Sequence, residues 1–232
     1  MDEMKRTVRL TQMRRVIASR MCESLMNTAQ FTLTKEISVD LLMDYIQKQK
    51  AKSKNIKFMH VLAKVVASLL KEHEMLNASI EENTLVFHDT VNMGVAVALP
   101  TGLLVPVIKG VENLSVEEFG ATYDSVVAEA RTGRMPPSKM SNGTFTLSNL
   151  GMLGIDTFTP IVNYPEAAIL GIGRTKDTPI KADDGSVRWE RTIVFSLTVD
   201  HRIVDGYVGA QFLDALTKAL TQEDKLLQTI GN

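Results

Sequence analysis

The residues best suited to chemistry lie near the carboxyl end of the chain, in the stretch DHRIVDG at 200–206. His201 stands there between an apolar run at 193–199, which is typical of a β-strand, and apolar residues at three- and four-residue spacing over 208–220, which predict a helix. A histidine can take or give a proton near neutral pH, and the end of a strand can hold it on a rigid scaffold. Spacing alone does not distinguish this role from a structural one.

A second polar group ends the strand-like stretch GTFTLSN at 143–149. Ser148 and Asn149 precede Gly151 and Gly154, which predict a turn from which the Ser148 hydroxyl can point outward. The alternative is a turn serine that bonds its own backbone.

Other signatures of catalysis or cofactor binding are missing. The four histidines are scattered, which argues against a zinc site, and Lys176 stands where a dinucleotide-binding loop needs its third glycine. The chain has neither a phosphate-binding Walker lysine motif nor a Gly-x-Ser-x-Gly elbow. The single cysteine, Cys22, excludes an internal disulfide, and its helical setting predicts a small core residue.

Composition predicts a soluble globular protein of 232 residues with a sizeable core. The net charge of −1 gives no reason to expect nucleic acid or an anionic membrane surface as a partner. No apolar run reaches the roughly 18 residues that a membrane span requires. The first residues lack the apolar h-region that is typical of a signal peptide, and Asp2 and Glu3 are unlike a mitochondrial presequence. We therefore expect the bacterial cytoplasm, or the mitochondrial matrix if the source is eukaryotic.

The elements that must position these residues alternate without strict strand–helix–strand order. Helices are predicted from the N-cap Thr11, after a cap at Asp40, at 57–73, after a capping box of Ser115 with Glu118, and at the end. Strands are predicted at 31–39, 84–88, 93–100, 103–110, 143–149, 167–173 and 192–199. This order predicts an α/β fold, a two-layer sandwich with a mixed β-sheet and helices on one face.

Five segments resemble the catalytic core domain of the dihydrolipoyl acyltransferases of 2-oxo acid dehydrogenase complexes. They are VRLTQMRRVIASRM at 8–21, GVAVALPTGLLVPVIKG at 94–110, GTFTLSNLG at 143–151, FTPIVNYPEAAILGIG at 158–173 and DHRIVDG at 200–206. The resemblance covers essentially the whole chain and implies the chloramphenicol acetyltransferase fold. That enzyme's related motif has two adjacent histidines, and Asp200 replaces the first, as in the acyltransferases. The chain departs from the family at Gln30, where histidine is common.

The resemblance implies transfer of an acyl group, with acetyl expected, between dihydrolipoamide and coenzyme A. It assigns His201 as the general base, Ser148 as the donor to the oxyanion, and Asp205 as a residue that orients the loop or polarises a neighbour. Gly206 is expected to allow a backbone shape or close approach that a side chain would block. Coenzyme A and lipoamide are expected as substrates, with no metal.

The resemblance also implies an assembly. A homotrimer with active sites between subunits would build an octahedral or icosahedral shell, which serves a 2-oxo acid decarboxylase and a dihydrolipoyl dehydrogenase. Residues 1–232 are expected to be one acyltransferase domain, with 1–8 a linker remnant and the lipoyl and peripheral-subunit-binding domains absent. Three alternatives are branched-chain or succinyl transfer, a small-molecule acetyltransferase, and a scaffold without catalysis.

Overall fold

The computed structural model describes residues 7–100, 102–182 and 184–231, so the predicted linker remnant at 1–8 lies mostly outside the described residues. The helices are α1 Gln12–Asn27, α2 Asp40–Ala51, α3 Phe58–Glu72, α4 Val116–Arg131, α5 Gly206–Thr221 and α6 Glu223–Ile230. The strands are β1 Gln30–Ser38, β2 Ala78–Glu81, β3 Thr84–Phe87, β4 Met93–Val95, β5 Val97–Leu99, β6 Gly102–Leu104, β7 Val107–Ile108, β8 Phe145–Asn149, β9 Ala168–Ile172, β10 Lys176–Lys181 and β11 Val187–Asp200.

The main sheet is mixed, as predicted. Its strands follow the order β1-β11-β9-β8-β4-β7, and β10 pairs with the first half of β11. Strand β8 runs parallel to β4 and β9, while the other pairs in the sheet are antiparallel. Strands β2 and β3 form a separate hairpin, and so do β5 and β6.

One face of the sheet carries the hydrophobic core. Side chains alternate along β11, so that Phe195, Leu197 and Val199 are buried in this core while Ser196 and Thr198 point to the opposite face. Helices α2 to α6 supply the apolar residues of the second layer. The two-layer prediction is confirmed, with α1 lying outside the helical layer.

The opposite face of the sheet is rich in hydroxyl groups that pair with one another. Thr32 and Thr198 share a 2.7 Å hydrogen bond between neighbouring strands, and Ser196 bonds Thr157 at 3.1 Å. Thr157 belongs to the coil 154–167, in which Phe158 also packs against Gly171. This coil covers the polar face, and the hydroxyl pairs reduce the cost of burying it.

Several predicted elements differ from those observed. The single strand expected at 93–100 breaks at Ala96, whose N–H bonds Leu147, and the second half leaves the sheet to pair with β6. Asp40 does not cap α2; its carboxylate accepts from Arg191 on β11 instead. Ser115 and Glu118 do form the predicted capping box, with backbone-to-side-chain bonds of 2.9 and 3.2 Å.

Cys22 is exposed, so the prediction of a core residue is wrong. Its helix α1 buries only Ser24 and packs against the β5–β6 hairpin through Met13 and Ile17, which contact Gly102. Within the described residues, no helix combines the length and apolar character that crossing a bilayer requires.

Candidate active site

His201 follows the last residue of β11 and is exposed. Its backbone N–H donates to Ala29 O at 2.9 Å, which extends the pairing of β1 with β11 by one bond. The imidazole ring lies 4.8 Å from the Phe31 ring, centroid to centroid. Among the described residues, no side chain hydrogen-bonds this ring, so its nitrogens are open to a substrate.

Asp205 is the N-cap of α5. Its Oδ1 accepts from the N–H groups of Tyr207 and Val208, both at 3.1 Å, which satisfies two donors at the helix start. Gly206 lies in open space: an added Cβ would meet nothing within 4 Å, and its φ is not in the left-handed region. Within the chain, therefore, neither the backbone conformation nor a neighbouring atom requires glycine at 206.

Asp200 was noted in the sequence only as the replacement for a histidine, and its structural role was not predicted. Its side chain is 1% exposed, and it binds the Arg202 guanidinium at 2.6 to 3.1 Å together with the N–H groups of Arg202 and Ala29. Burial would raise the pKa of Asp200, but Arg202 and the two N–H donors outweigh it, and the pKa is lowered. The signal in the sequence was the pair of opposite charges, Asp200 and Arg202, that flanks His201.

Ser148 is half-buried near the end of β8, as predicted. Its hydroxyl makes no hydrogen bond within the part of the chain that the structure describes. The turn that follows is held by close packing, because a Cβ on Gly151 would lie 2.4 Å from Gly173 O. Neighbouring Asn149 closes the turn by accepting from Gly151 N–H at 2.8 Å.

His201 and Ser148 lie at opposite ends of the sheet in one chain. Ser148 pairs with Gly171 on β9, and Gly171 pairs with Ser196 on β11, which precedes His201 by five positions. Five residues of strand extend about 16 Å, and two strand spacings add about 10 Å across the sheet. These spacings place the two backbones about 19 Å apart, too far for both side chains to act on one reacting group.

Gln30 has a structural role in this chain. Its side-chain amide donates to the hydroxyls of Ser24 and Thr28 and accepts from Val162 N–H at 3.0 Å. These bonds tie the end of α1 and the start of β1 to the coil on the polar face, so the amide is not free for a ligand.

Within the described ranges, no group of three or more histidine, cysteine, aspartate or glutamate side chains could hold a metal ion.

A family model described as 2-oxoacid dehydrogenases acyltransferase (catalytic domain) matches residues 2–228. Two curated relatives are named as dihydrolipoyllysine-residue acetyltransferases. One belongs to the acetoin cleaving system of Bacillus subtilis (36% identity over 97% of this chain and 58% of the relative). The other belongs to the pyruvate dehydrogenase complex of Acholeplasma laidlawii (37% over 95% and 41%). A third relative, from Cupriavidus necator, is the succinyltransferase component of the 2-oxoglutarate dehydrogenase complex (32% over 97% and 55%). The chain thus spans about half the length of these relatives.

Solved structures agree with the sequence relatives. The dihydrolipoamide acetyltransferase of Azotobacter vinelandii superimposes with a TM-score of 0.91 at 30% identity, over 97% of this chain and 94% of that one. The cubic core of a pyruvate dehydrogenase multienzyme complex gives the same values. Chloramphenicol acetyltransferase superimposes with a TM-score of 0.56 at 14% identity, over 93% of this chain and 99% of that one, which confirms the predicted fold. The motifs, the fold and the family match lead to one conclusion: the chain belongs to the family of 2-oxoacid dehydrogenase acyltransferase catalytic domains.

Proposed function

We propose that this chain transfers an acyl group, and acetyl in particular, from acyl-dihydrolipoamide to coenzyme A. The observation that carries the proposal is the presentation of His201 within the DHRIVDG motif. The histidine is exposed at a strand end, its backbone is held by Ala29, and its ring nitrogens are open.

The chemistry requires a base because both substrates are thiols with ordinary pKa values near 8.5. His201 takes the proton of the coenzyme A thiol as its sulfur attacks the thioester carbonyl. The tetrahedral intermediate carries an oxyanion, to which the Ser148 hydroxyl donates a hydrogen bond. The intermediate then collapses, the bond to the dihydrolipoamide sulfur breaks, and His201 returns the proton to that sulfur. No acyl-enzyme forms.

The active site of this proposal lies between two copies of the chain. His201 of one copy meets Ser148 of the next, because about 19 Å of sheet separates the two residues within a copy. Such a contact joins different surfaces, and repeating it by rotation closes a ring. We propose that this ring is a trimer. A solved structure with 30% identity forms the cubic core of a multienzyme complex, which supports assembly of the trimers into a larger shell.

The Azotobacter vinelandii neighbour supports the residue assignment. The work on that structure concerns the role of a serine, a histidine and an asparagine in its catalytic mechanism, and the histidine and the asparagine are four positions apart. His201 and Asp205 have the same spacing here. We assign Asp205 the role of holding the His201 loop through its cap on α5.

The acyl group and the partners belong to the same proposal. Two relatives transfer acetyl groups by name, in acetoin and pyruvate systems, which favours acetyl, while a third relative named for succinyl transfer supplies the main alternative. Residues 1–232 act as one domain, with the lipoyl group carried on a separate domain. A 2-oxo acid decarboxylase and a dihydrolipoyl dehydrogenase complete the system, in a bacterial cytoplasm.

The test is an assay of acyl transfer from acetyl-coenzyme A to free dihydrolipoamide, with isobutyryl- and succinyl-coenzyme A in parallel. Acetyl transfer that is faster than either alternative supports the proposal, and His201→Ala gives the background. A higher rate with succinyl- or isobutyryl-coenzyme A would show that the preferred acyl group is not acetyl. No transfer from any of the three would leave a scaffold and overturn the catalytic assignment.

A further inference from the structure

We propose that Asp200 and Arg202, which flank His201, form a clamp that holds His201 in position. Both residues then affect the rate of acyl transfer through their effect on His201. The clamp rests on the proposed function. Asp200 is almost fully buried at 1% exposure, whereas the Arg202 side chain is 41% exposed. The buried carboxylate accepts three contacts from the guanidinium, at 2.6, 2.9 and 3.1 Å.

The clamp reaches the His201 backbone from both sides. Asp200 Oδ1 accepts from Ala29 N–H and from Arg202 N–H, each at 3.1 Å, while Ala29 O accepts from His201 N–H at 2.9 Å. Ala29 is therefore bonded to both Asp200 and His201. The Asp200 carbonyl accepts from Ile203 and Val204, both at 2.9 Å, which closes the turn on the far side of the histidine.

The histidine ring depends on this clamp because it has few contacts of its own. Phe31 packs against the ring, and within the described residues no side chain hydrogen-bonds either ring nitrogen. The direction of the ring is then set by the backbone of residues 200–202 and by the Phe31 contact. A general base must lie within hydrogen-bond reach of its proton, so a small shift of this backbone lowers the rate of the chemical step.

The Asp200–Arg202 ion pair can hold His201 in position because breaking it is energetically costly. The carboxylate is buried, and the loss of Arg202 would leave a charge held only by backbone N–H groups. The fork of the guanidinium fixes direction as well as distance, which the single ammonium of a lysine does not do. In this proposal Asp200 and Arg202 are therefore positioning residues.

The first experiment compares Asp200→Asn with wild type in the assembled protein. The asparagine keeps the shape of the side chain and removes the charge. We expect kcat to fall at least 10-fold while KM for acetyl-coenzyme A and for dihydrolipoamide changes less than 2-fold. The matched control is Asp40→Asn, which removes the carboxylate partner of Arg191 at the other end of β11 and should leave kcat unchanged.

The second experiment places Asp200→Asn in a His201→Ala background. If Asp200 acts through the base, the double variant loses less than 2-fold relative to His201→Ala alone. A residue that only stabilises the fold lowers activity by the same factor in both backgrounds, and that result would overturn the proposal.

A third pair of variants decides the question without Asp200 substitutions, should the asparagine protein not assemble. Arg202→Met removes the guanidinium from a partly exposed position, and Arg202→Lys keeps the charge. We expect kcat to fall at least 10-fold for Arg202→Met and to be partly restored for Arg202→Lys, with KM unchanged in both. Wild-type kcat in Arg202→Met would refute the clamp. Failure of the proposed function is distinct, because wild type itself would then show no transfer.

Discussion

At the residue scale, the two proposed catalytic residues, His201 and Ser148, differ in their burial and in their contacts with the rest of the chain. His201 is exposed and joined to the chain through its backbone and one aromatic contact, so its side chain adds little to folding. Ser148 is half-buried, with its hydroxyl unbonded in the described chain, which leaves the hydroxyl free for a developing oxyanion. Both side chains can therefore be altered without removing a bond that the chain uses.

For the base, we expect His201→Ala to lower kcat at least 10²-fold, since loss of a general base costs 10²–10⁴ in rate. Assembly, measured by light scattering, should not change. A variant that keeps a near-normal transferase rate would contradict the mechanism.

For the oxyanion donor, we expect Ser148→Ala to lower kcat roughly 10²–10³-fold with KM little changed, because the hydrogen bond matters most in the transition state. Steady-state kinetics with acetyl-coenzyme A and dihydrolipoamide measure both constants. If KM alone changes, Ser148 binds substrate and does not stabilise the intermediate.

Asp205 gives a third residue-scale prediction because its cap on α5 can be separated from its charge. Asparagine accepts the same two N–H bonds, so Asp205→Asn should keep the helix and most of the rate. Asp205→Ala should lose about 1 kcal/mol of unfolding free energy and lower kcat. Thermal unfolding and initial rates are the measurements, and equal rates in the two variants would remove Asp205 from the site.

At the element scale, local signals were predictable and pairings between distant strands were not. The capping box at Ser115 and the strand at 192–199 depend on neighbours in sequence, and both were found as predicted. The break at Ala96 depends on which strands pair, because β4 pairs with β8 while β5 pairs with β6, and no local pattern carries that information. Cys22 was misplaced because helical periodicity shows which residues share a face but not what covers that face.

In the candidate site, too, local motifs were predictable and contacts between distant segments were not. The motifs indicated His201, Ser148 and Asp205, while the clamp around Asp200 required the position of Ala29, which is far away in sequence. The opposite placement of Ser148 and His201 follows from the order β11-β9-β8, which one sequence does not reveal.

Glu166 joins several elements and makes the stability of this region depend on pH. The residue is 2% exposed, and its carboxyl accepts from Thr146 on β8 at 2.6 Å and from Asn163 at 2.7 Å. Burial raises the pKa of Glu166 to about 7, although both hydrogen bonds act to lower it. An unfolded glutamate titrates near 4.3. The neutral carboxyl therefore stabilises the fold fully below about pH 4.3, and this contribution is lost as the pH rises through about 7.

Glu166→Gln removes this titration. We expect the unfolding free energy of wild type, minus that of the variant, to fall by roughly 2–3 kcal/mol between pH 5 and pH 8. Denaturant unfolding at the two pH values measures it, and the subtraction cancels the other titrating groups. A difference that stays constant with pH would mean that Glu166 is already ionised in the folded protein at pH 5.

At the scale of the whole molecule, the sheet holds Ser148 and His201 apart within one copy. Strand register sets the separation of about 19 Å between Ser148 and His201, and folding of the single chain cannot shorten it. The proposed function therefore links catalysis to assembly, with each copy supplying a base to one neighbour and an oxyanion donor to the other.

Mixed assemblies of the two single variants test this arrangement directly. Neither His201→Ala nor Ser148→Ala alone can form an intact site. In a mixed ring, a site is intact where a Ser148→Ala copy supplies its histidine and a His201→Ala copy supplies its serine. For equal random mixing in a cyclic ring, this occurs at about a quarter of the sites.

Co-expression of the two variants should therefore restore activity to about 25% of wild type, against a background near 1% for either variant alone. Co-expression is needed because a finished shell need not exchange its subunits, and native mass spectrometry confirms that both variants are present in one particle. Activity that stays at the single-variant level in confirmed mixed particles would mean that both residues act within one copy. That result would overturn the inter-subunit site, because His201 and Ser148 would then have to reach one substrate from the same copy.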